Sequence, residues 1–190
     1  MAKKKGRSSS YSTRAALACL FAALLCAGAY ISLPLPVSPA PITLDNFFAI
    51  LGGLLLGPLW GSAASAIYLV IGTLGFPVFS GGSGGITHLI GPTGGYLLGY
   101  VIGAFIAGLC ARKRGAILTS IGALLGFIVI LALGAAGLRY ISGIAWAQAM
   151  VVGCLPFIPG DSVKAVLAIF VAIRLGPFVD SLHHESGSDA

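Results

Sequence analysis

Polar and apolar positions alternate along this chain in long blocks. Apolar runs are separated by short stretches rich in Pro, Gly, Ser and basic residues. The first run extends from about Ala15 to Leu33. Between Leu33 and Pro41, four prolines in eight positions forbid a helix and force extended backbone. A second run starts after Thr43 or Asp45, either of which can cap a helix, and reaches about Leu56. Gly57-Pro58 breaks it and permits a tight turn before a third run, Leu59 to Leu74. Residues 76–91 read as a Gly-rich loop. Pro92 suits the first turn of a fourth run that reaches about Ala111. A fifth covers Ala116 to Leu138, and a sixth covers Gly160 to Leu175. Between those two, Ile144–Gly153 reads as a short helix lying at a surface.

Composition turns these runs into membrane spans. Of 190 residues, 57% are hydrophobic and 8% charged, with a mean hydropathy of +1.01, whereas soluble domains carry about 25% charged residues. A helix needs roughly 20 apolar residues to cross a bilayer, so six crossings account for the chain with short loops and no soluble domain. The expected fold is an all-α integral membrane protein. It is a six-helix bundle (residues 15–176) between a mobile basic tail (1–14) and a polar tail (177–190) carrying His183, His184 and Glu185. The second and third runs are short for full crossings. Such segments line binding sites in transporters, or are accommodated by tilt and bilayer thinning.

Charge sets the orientation. Lys3, Lys4, Lys5, Arg7 and Arg14 precede the first run, Arg112, Lys113 and Arg114 follow the fourth, and Arg174 closes the sixth. Basic residues collect in cytoplasmic loops. Six spans place all of these, and both termini, on the cytoplasmic side of a cytoplasmic (inner) membrane. The net charge of +6 is therefore a topology signal, with no nucleic-acid partner implied. The first apolar run is too long for the core of a signal peptide. Cys19, Cys26, Cys110 and Cys154 lack metal-ligand or redox spacing and read as small packing residues.

Two charges depart from this pattern. Asp161 and Lys164 lie one turn apart at the start of the sixth run, within Pro156-Phe157-Ile158-Pro159-Gly160-Asp161. Ionisable groups at membrane depth are costly, usually paired, and usually functional. Residues at i and i+3 share a helix face, so the pair presents a carboxylate and an ammonium together. It reads as the polar end of a small-molecule site, or as an ion pair pinning the helix. Gly84 and Gly85 belong to a glycine stretch without the G-K-[ST] ending of a nucleotide loop. Glycines there let backbone approach a ligand closely, or serve simply as a linker. Thr93 and Tyr96 bring a hydroxyl and a ring to the outer end of the fourth span. Tyr96 can anchor at the interface or stack on a ligand, and the buried hydroxyl of Tyr68 needs a partner. Trp60 and Trp146 read as interface residues. His88 is alone, Asp45 reads as a helix cap, and no metal cluster or cofactor motif is present. Ala18 and Ala22, like Ala23 and Ala27, are spaced to admit a second helix, from this chain or from a partner. No catalytic set and no ATP-binding motif appear, so no enzyme is expected and any active transport draws its energy elsewhere.

Pro41-Ile42-Thr43-Leu44, Leu54-Leu55-Leu56-Gly57-Pro58, Gly75-Phe76-Pro77-Val78-Phe79, Gly91-Pro92-Thr93-Gly94-Gly95-Tyr96 and Pro156 to Asp161 with Lys164 resemble the BioY family. These are the biotin-binding S components of energy-coupling-factor (ECF) vitamin transporters. The resemblance covers about Arg14 to Leu175. It implies a six-helix bundle that takes biotin from the outer side and delivers it inside, alone or docked on a transmembrane T component with two ABC-type ATPases. Ala18 and Ala22 match the family's docking pattern. Asp45 stands where the family usually has Gln. Biotin's ureido ring offers two N–H donors and a carbonyl. Asp161 can accept from an N–H and Lys164 can donate to the carbonyl. Phe79, Tyr96, Tyr68, Thr43, Thr93, Gly84 and Gly85 complete the expected site. An S component for another vitamin, and a membrane scaffold using the Ala face, are the alternatives.

Overall fold

A computed structural model of the chain describes residues 2–113 and 115–188. Eight α-helices carry nearly all of it: α1 Ala2–Tyr30, α2 Asp45–Leu56, α3 Pro58–Thr73, α4 Ile86–Ile90, α5 Gly94–Cys110, α6 Ala116–Ser142, α7 Trp146–Gly153 and α8 Ile158–Ser188. The proline-rich stretch is free of helix, as expected. It is closed by a two-residue antiparallel pair, β1 (Ser32–Leu33) with β2 (Ile42–Thr43), in the register Ser32 to Thr43 and Leu33 to Ile42. That pairing returns the chain to the end of α1 it left, so α2 starts beside it.

Among the described residues, four helices are long and apolar enough to cross a membrane: Tyr11–Tyr30, Gly94–Lys113, Ala116–Ser142 and Ile158–Val179. α2 and α3 are apolar but shorter, with 12 and 16 residues. Gly57 alone separates them, at φ +83, a conformation glycine adopts without steric cost. Large apolar side chains face outward along the long helices, among them Ile102, Ile128, Val166 and Phe170. An apolar exterior of this kind belongs against lipid.

Helix α5 is central, packed between α2, α3 and α6. Glycines make these contacts close enough for backbone to meet backbone. A Cβ on Gly53 of α2 would sit 2.2 Å from the Ala104 carbonyl oxygen of α5, and one on Gly95 of α5 would sit 2.1 Å from that of Leu133 in α6. Tertiary packing of this kind supplies van der Waals contact where lipid offers no hydrophobic driving force between helices.

The element ends differ from expectation in informative ways. α1 reaches back to Ala2 and α8 runs on to Ser188, so the segments read as tails continue the terminal helices. Pro177 lies inside α8. Pro92 precedes α5, whose first residue is Gly94, instead of entering its first turn. The loop 76–91 contains a 3-10 turn, Ser80–Gly82, and α4. It is tied down by Tyr30, whose hydroxyl donates to the Pro77 carbonyl, and by a bridge between Phe79 and Ser83. Arg112 and Lys113 lie in a 3-10 turn after α5, whereas Arg114 lies outside the described residues. The side chains of Lys3, Lys4, Lys5, Arg7, His183, His184 and Glu185 also lie outside the described set.

Candidate functional site: a polar-ended cavity under the loop 76–91

A cavity of about 220 Å³ lies where the N-terminal ends of α2, α5 and α8 converge with the later half of α3 and the loop 76–91. Its lining includes Thr43, Asp45, Asn46, Tyr68, Phe79, Thr93, Tyr96, Tyr100, Phe157 and Asp161. Mixed aromatic walls with a few fixed polar groups characterise small-molecule sites.

The polar end is a continuous network. Lys164 Nζ donates to the Thr43 carbonyl at 2.7 Å, to Asn46 Oδ1 at 2.9 Å and to Asp161 Oδ1 at 3.0 Å. Asn46 Nδ2 donates to the same Asp161 oxygen at 2.9 Å. An ammonium has three protons, so Lys164 is fully committed. Asp161 is 4% exposed, and its second oxygen, Oδ2, is buried without a partner among the described residues. A buried carboxylate oxygen left unpaired is costly, which marks it as an acceptor waiting for a donor.

Lys164 does not line the cavity. The helical i, i+3 spacing puts both groups on one face, and the ammonium reaches back to the β2–α2 junction and braces Asp161 and Asn46, so that Asp161 is the member of the pair at the cavity wall. A cation so placed sets the orientation of the carboxylate that faces the cavity.

Asp45 also departs from expectation. It is the first residue of α2, the helix has no side-chain cap, and Asp45 is 2% exposed. Its Oδ1 accepts from Tyr100 at 3.0 Å, from the Asn46 backbone N–H at 2.8 Å and from the Thr43 hydroxyl, and its Oδ2 accepts from Tyr68 at 3.1 Å. The carboxylate thus gathers hydroxyls from three elements and fixes the two tyrosine rings, whose centroids lie 6.4 Å apart and nearly parallel. Tyr68 finds in this way the partner its buried hydroxyl requires. Tyr100→Phe deletes one donor to a buried carboxylate. The expected cost is about 1–3 kcal/mol, read as a lowered thermal midpoint in detergent, with the ring surface intact.

Phe79 packs edge-on against Tyr68 at 5.4 Å and against His88 at 5.6 Å. Tyr96 donates to the Gly153 carbonyl at 2.6 Å and lies against Phe157, so its hydroxyl is anchored while its ring forms wall. Thr93 donates to the His88 carbonyl at 3.3 Å. Gly84 and Gly85, expected at the ligand, do not line the cavity. Gly84 lies so close under the loop that a Cβ would meet the Phe76 carbonyl oxygen at 2.2 Å, and the Gly85 N–H donates to Gly72 at 2.7 Å. These glycines let the loop settle onto the end of α3, and the neighbouring Ser80, Ser83 and His88 line the cavity instead.

Asn46, Tyr100, Phe157, Ser80, Ser83 and His88 were not expected as site residues. Asn46 carries a readable signal, an amide beside a carboxylate at the start of a short apolar helix. The others do not stand out from their segments. Of the two neighbours the spacing of Ala18 and Ala22 allows, the structure supplies one from the chain itself: they are 1% and 3% exposed, inside the chain's own bundle. Ala23 and Ala27 are exposed on α1.

Apolar helices facing lipid around a polar-ended cavity are the build of a multi-pass membrane protein with a small-molecule site. The chain belongs to the BioY family, whose sequence pattern matches residues 2–181. A Pyrococcus horikoshii protein named a probable biotin transporter BioY is 46% identical over 159 residues, covering 84% of this chain and 93% of its own. The Thermotoga maritima biotin transporter BioY is 41% identical over 158 residues, covering 82% and 91%. A crystal structure of the S-component for biotin from an ECF-type ABC transporter is similar throughout, with TM-score 0.81 and 28% identity, over 87% of this chain and 91% of that one.

Proposed function

We propose that this chain is the biotin-binding subunit of a vitamin uptake system in the cytoplasmic membrane. The observation that carries the reading is Asp161 Oδ2, a buried acceptor without a partner among the described residues, at the wall of an aromatic cavity. A ureido N–H of biotin supplies the missing donor. Asn46 Nδ2 has a second hydrogen beyond the one given to Asp161, and it can meet the ureido carbonyl. Tyr68, Phe79, Tyr96, Tyr100 and Phe157 enclose the apolar bicycle. The valerate carboxylate then meets the polar groups of the outer loop, Ser80, Ser83, His88 and Thr93. Direct contact by Gly84 or Gly85 is no part of this arrangement. No cofactor enters it, and biotin is cargo.

In this reading α1, α2, α3, α5, α6 and α8 form six crossings, with α2 and α3 as short spans. Both termini and Arg112–Lys113 face the cytoplasm, and the cavity opens outward, in accord with the distribution of Lys and Arg. Energy comes from an ECF module of T component and two ATPases, or the subunit acts alone. A T-component helix would dock on the exposed small residues Ala23 and Ala27, since Ala18 and Ala22 are consumed internally.

Calorimetric titration of detergent-purified protein with biotin, with riboflavin and thiamine as controls, tests the proposal. Saturable one-to-one binding of biotin alone is expected. A folded sample that gives neither heat nor thermal stabilisation with biotin would overturn it.

A further inference from the structure

A second cavity, of about 300 Å³, lies at the other end of the same helices. It is lined by the last turn of α2 (Leu54–Leu56), the Gly57-Pro58 turn, the first turn of α3 with Leu59 and Trp60, Gly108 and Ala111, and the guanidinium-bearing residues Arg14 and Arg112. Among the described residues neither arginine has an ion-pair partner, and Arg14 Nε is buried without a hydrogen-bond acceptor. A guanidinium donor shut away from water without an acceptor is as costly as the orphaned carboxylate oxygen at the opposite end. The first turn of α3 opens onto the same space. Pro58 has no N–H and Gly61 donates to Gly57, which leaves the Leu59 and Trp60 N–H groups without an intrahelical acceptor at the positive end of the helix. Beside the cavity, Tyr11 and Trp60 lie ring against ring at 6.4 Å, and aromatic pairs of this kind mark the headgroup level of a membrane.

We propose that this second cavity seats the phosphate of an anionic lipid headgroup, gripped by Arg14 and Arg112. Two guanidiniums and a helix N-terminus provide planar, charge-assisted donors for phosphate oxygens, and the flanking aromatic pair suits the glycerol region above the acyl chains. Basic recesses between spans are where such headgroups lodge. The bound lipid would link α1 to the α2–α3 turn and the end of α5, the three parts of the bundle that meet there.

The test uses the full chain, stripped of lipid in detergent and then supplied with phosphatidylglycerol, phosphatidylcholine or inorganic phosphate. Native mass spectrometry and thermal unfolding are the readouts. Phosphatidylglycerol is expected to give a one-to-one adduct and a raised midpoint, with phosphatidylcholine at least tenfold weaker. Arg14→Gln with Arg112→Gln should weaken the adduct at least tenfold, and Arg14→Lys with Arg112→Lys should restore part of it. Biotin affinity at the distant cavity reports that the variants are folded. Should the double Gln variant fail to fold, Arg112→Gln alone serves, because its residue is exposed. Equal binding of the two lipids, or retention of phosphatidylglycerol by the Gln variant, overturns the proposal. Equal protection by inorganic phosphate assigns the cavity to a free anion and overturns the lipid assignment.

Discussion

Replacing Asp161 by Asn is expected to weaken biotin binding at least tenfold while the bundle keeps its fold. Asn has the same size and retains an oxygen for the two donors that meet Asp161 Oδ1, Lys164 Nζ and Asn46 Nδ2. Those donors fix the new amide with its oxygen toward them, so its NH2 replaces Oδ2. A donor then faces the ligand's N–H donor, and a charge-assisted hydrogen bond is lost. Such bonds contribute about 1.5–3 kcal/mol, which corresponds to roughly ten- to a hundredfold in affinity. Calorimetry measures the loss directly. A variant that binds biotin as tightly as the parent would reduce Asp161 to a structural ion-pair partner.

Lys164→Met should have its larger effect on stability. The substitution removes one cation and three hydrogen bonds, stranding the Thr43 carbonyl, Asn46 Oδ1 and the Asp161 carboxylate in a site closed to water. Removing one member of a buried pair costs about 3–5 kcal/mol, because the remaining charge is uncompensated. The thermal midpoint in detergent should fall clearly, and biotin binding should fall with it, since Asp161 and Asn46 lose the group that orients them. Combining Asp161→Asn with Lys164→Met removes both charges, so the double variant is expected to be more stable than the sum of the single losses. Strict additivity would show that the two residues are not coupled.

The two predictions differ because the two residues have different neighbours, and this difference was invisible along the chain. Spacing alone put Asp161 and Lys164 on one face and marked them as exceptional charges in an apolar segment. That much held. Which of them faces the cavity depended on residues more than a hundred positions away, at the β2–α2 junction. Asp45 illustrates the same limit. A carboxylate at the start of a helix satisfies the rule for a cap. That Asp45 accepts instead from Tyr68 and Tyr100 was set by two other helices.

Much of the architecture was nonetheless legible. The order and approximate extent of the apolar helices follow from runs of hydrophobic residues, because backbone groups in lipid must be satisfied within the segment. The prolines between Leu33 and Pro41 dictate a break wherever they fold. The chemistry of the polar pair and the family motifs likewise reside in local order. What the tertiary structure alone decided is which small residues are spent internally and which face out, as with Ala22 against Ala23. It also decided that the loop 76–91 offers Ser80, Ser83 and His88 to the cavity instead of Gly84 and Gly85, and that Asn46 joins Lys164 to Asp161. The physical reason is common to all three. Hydrophobic period and backbone conformation are local properties, whereas burial and hydrogen-bond partnership are set by whichever helix arrives alongside.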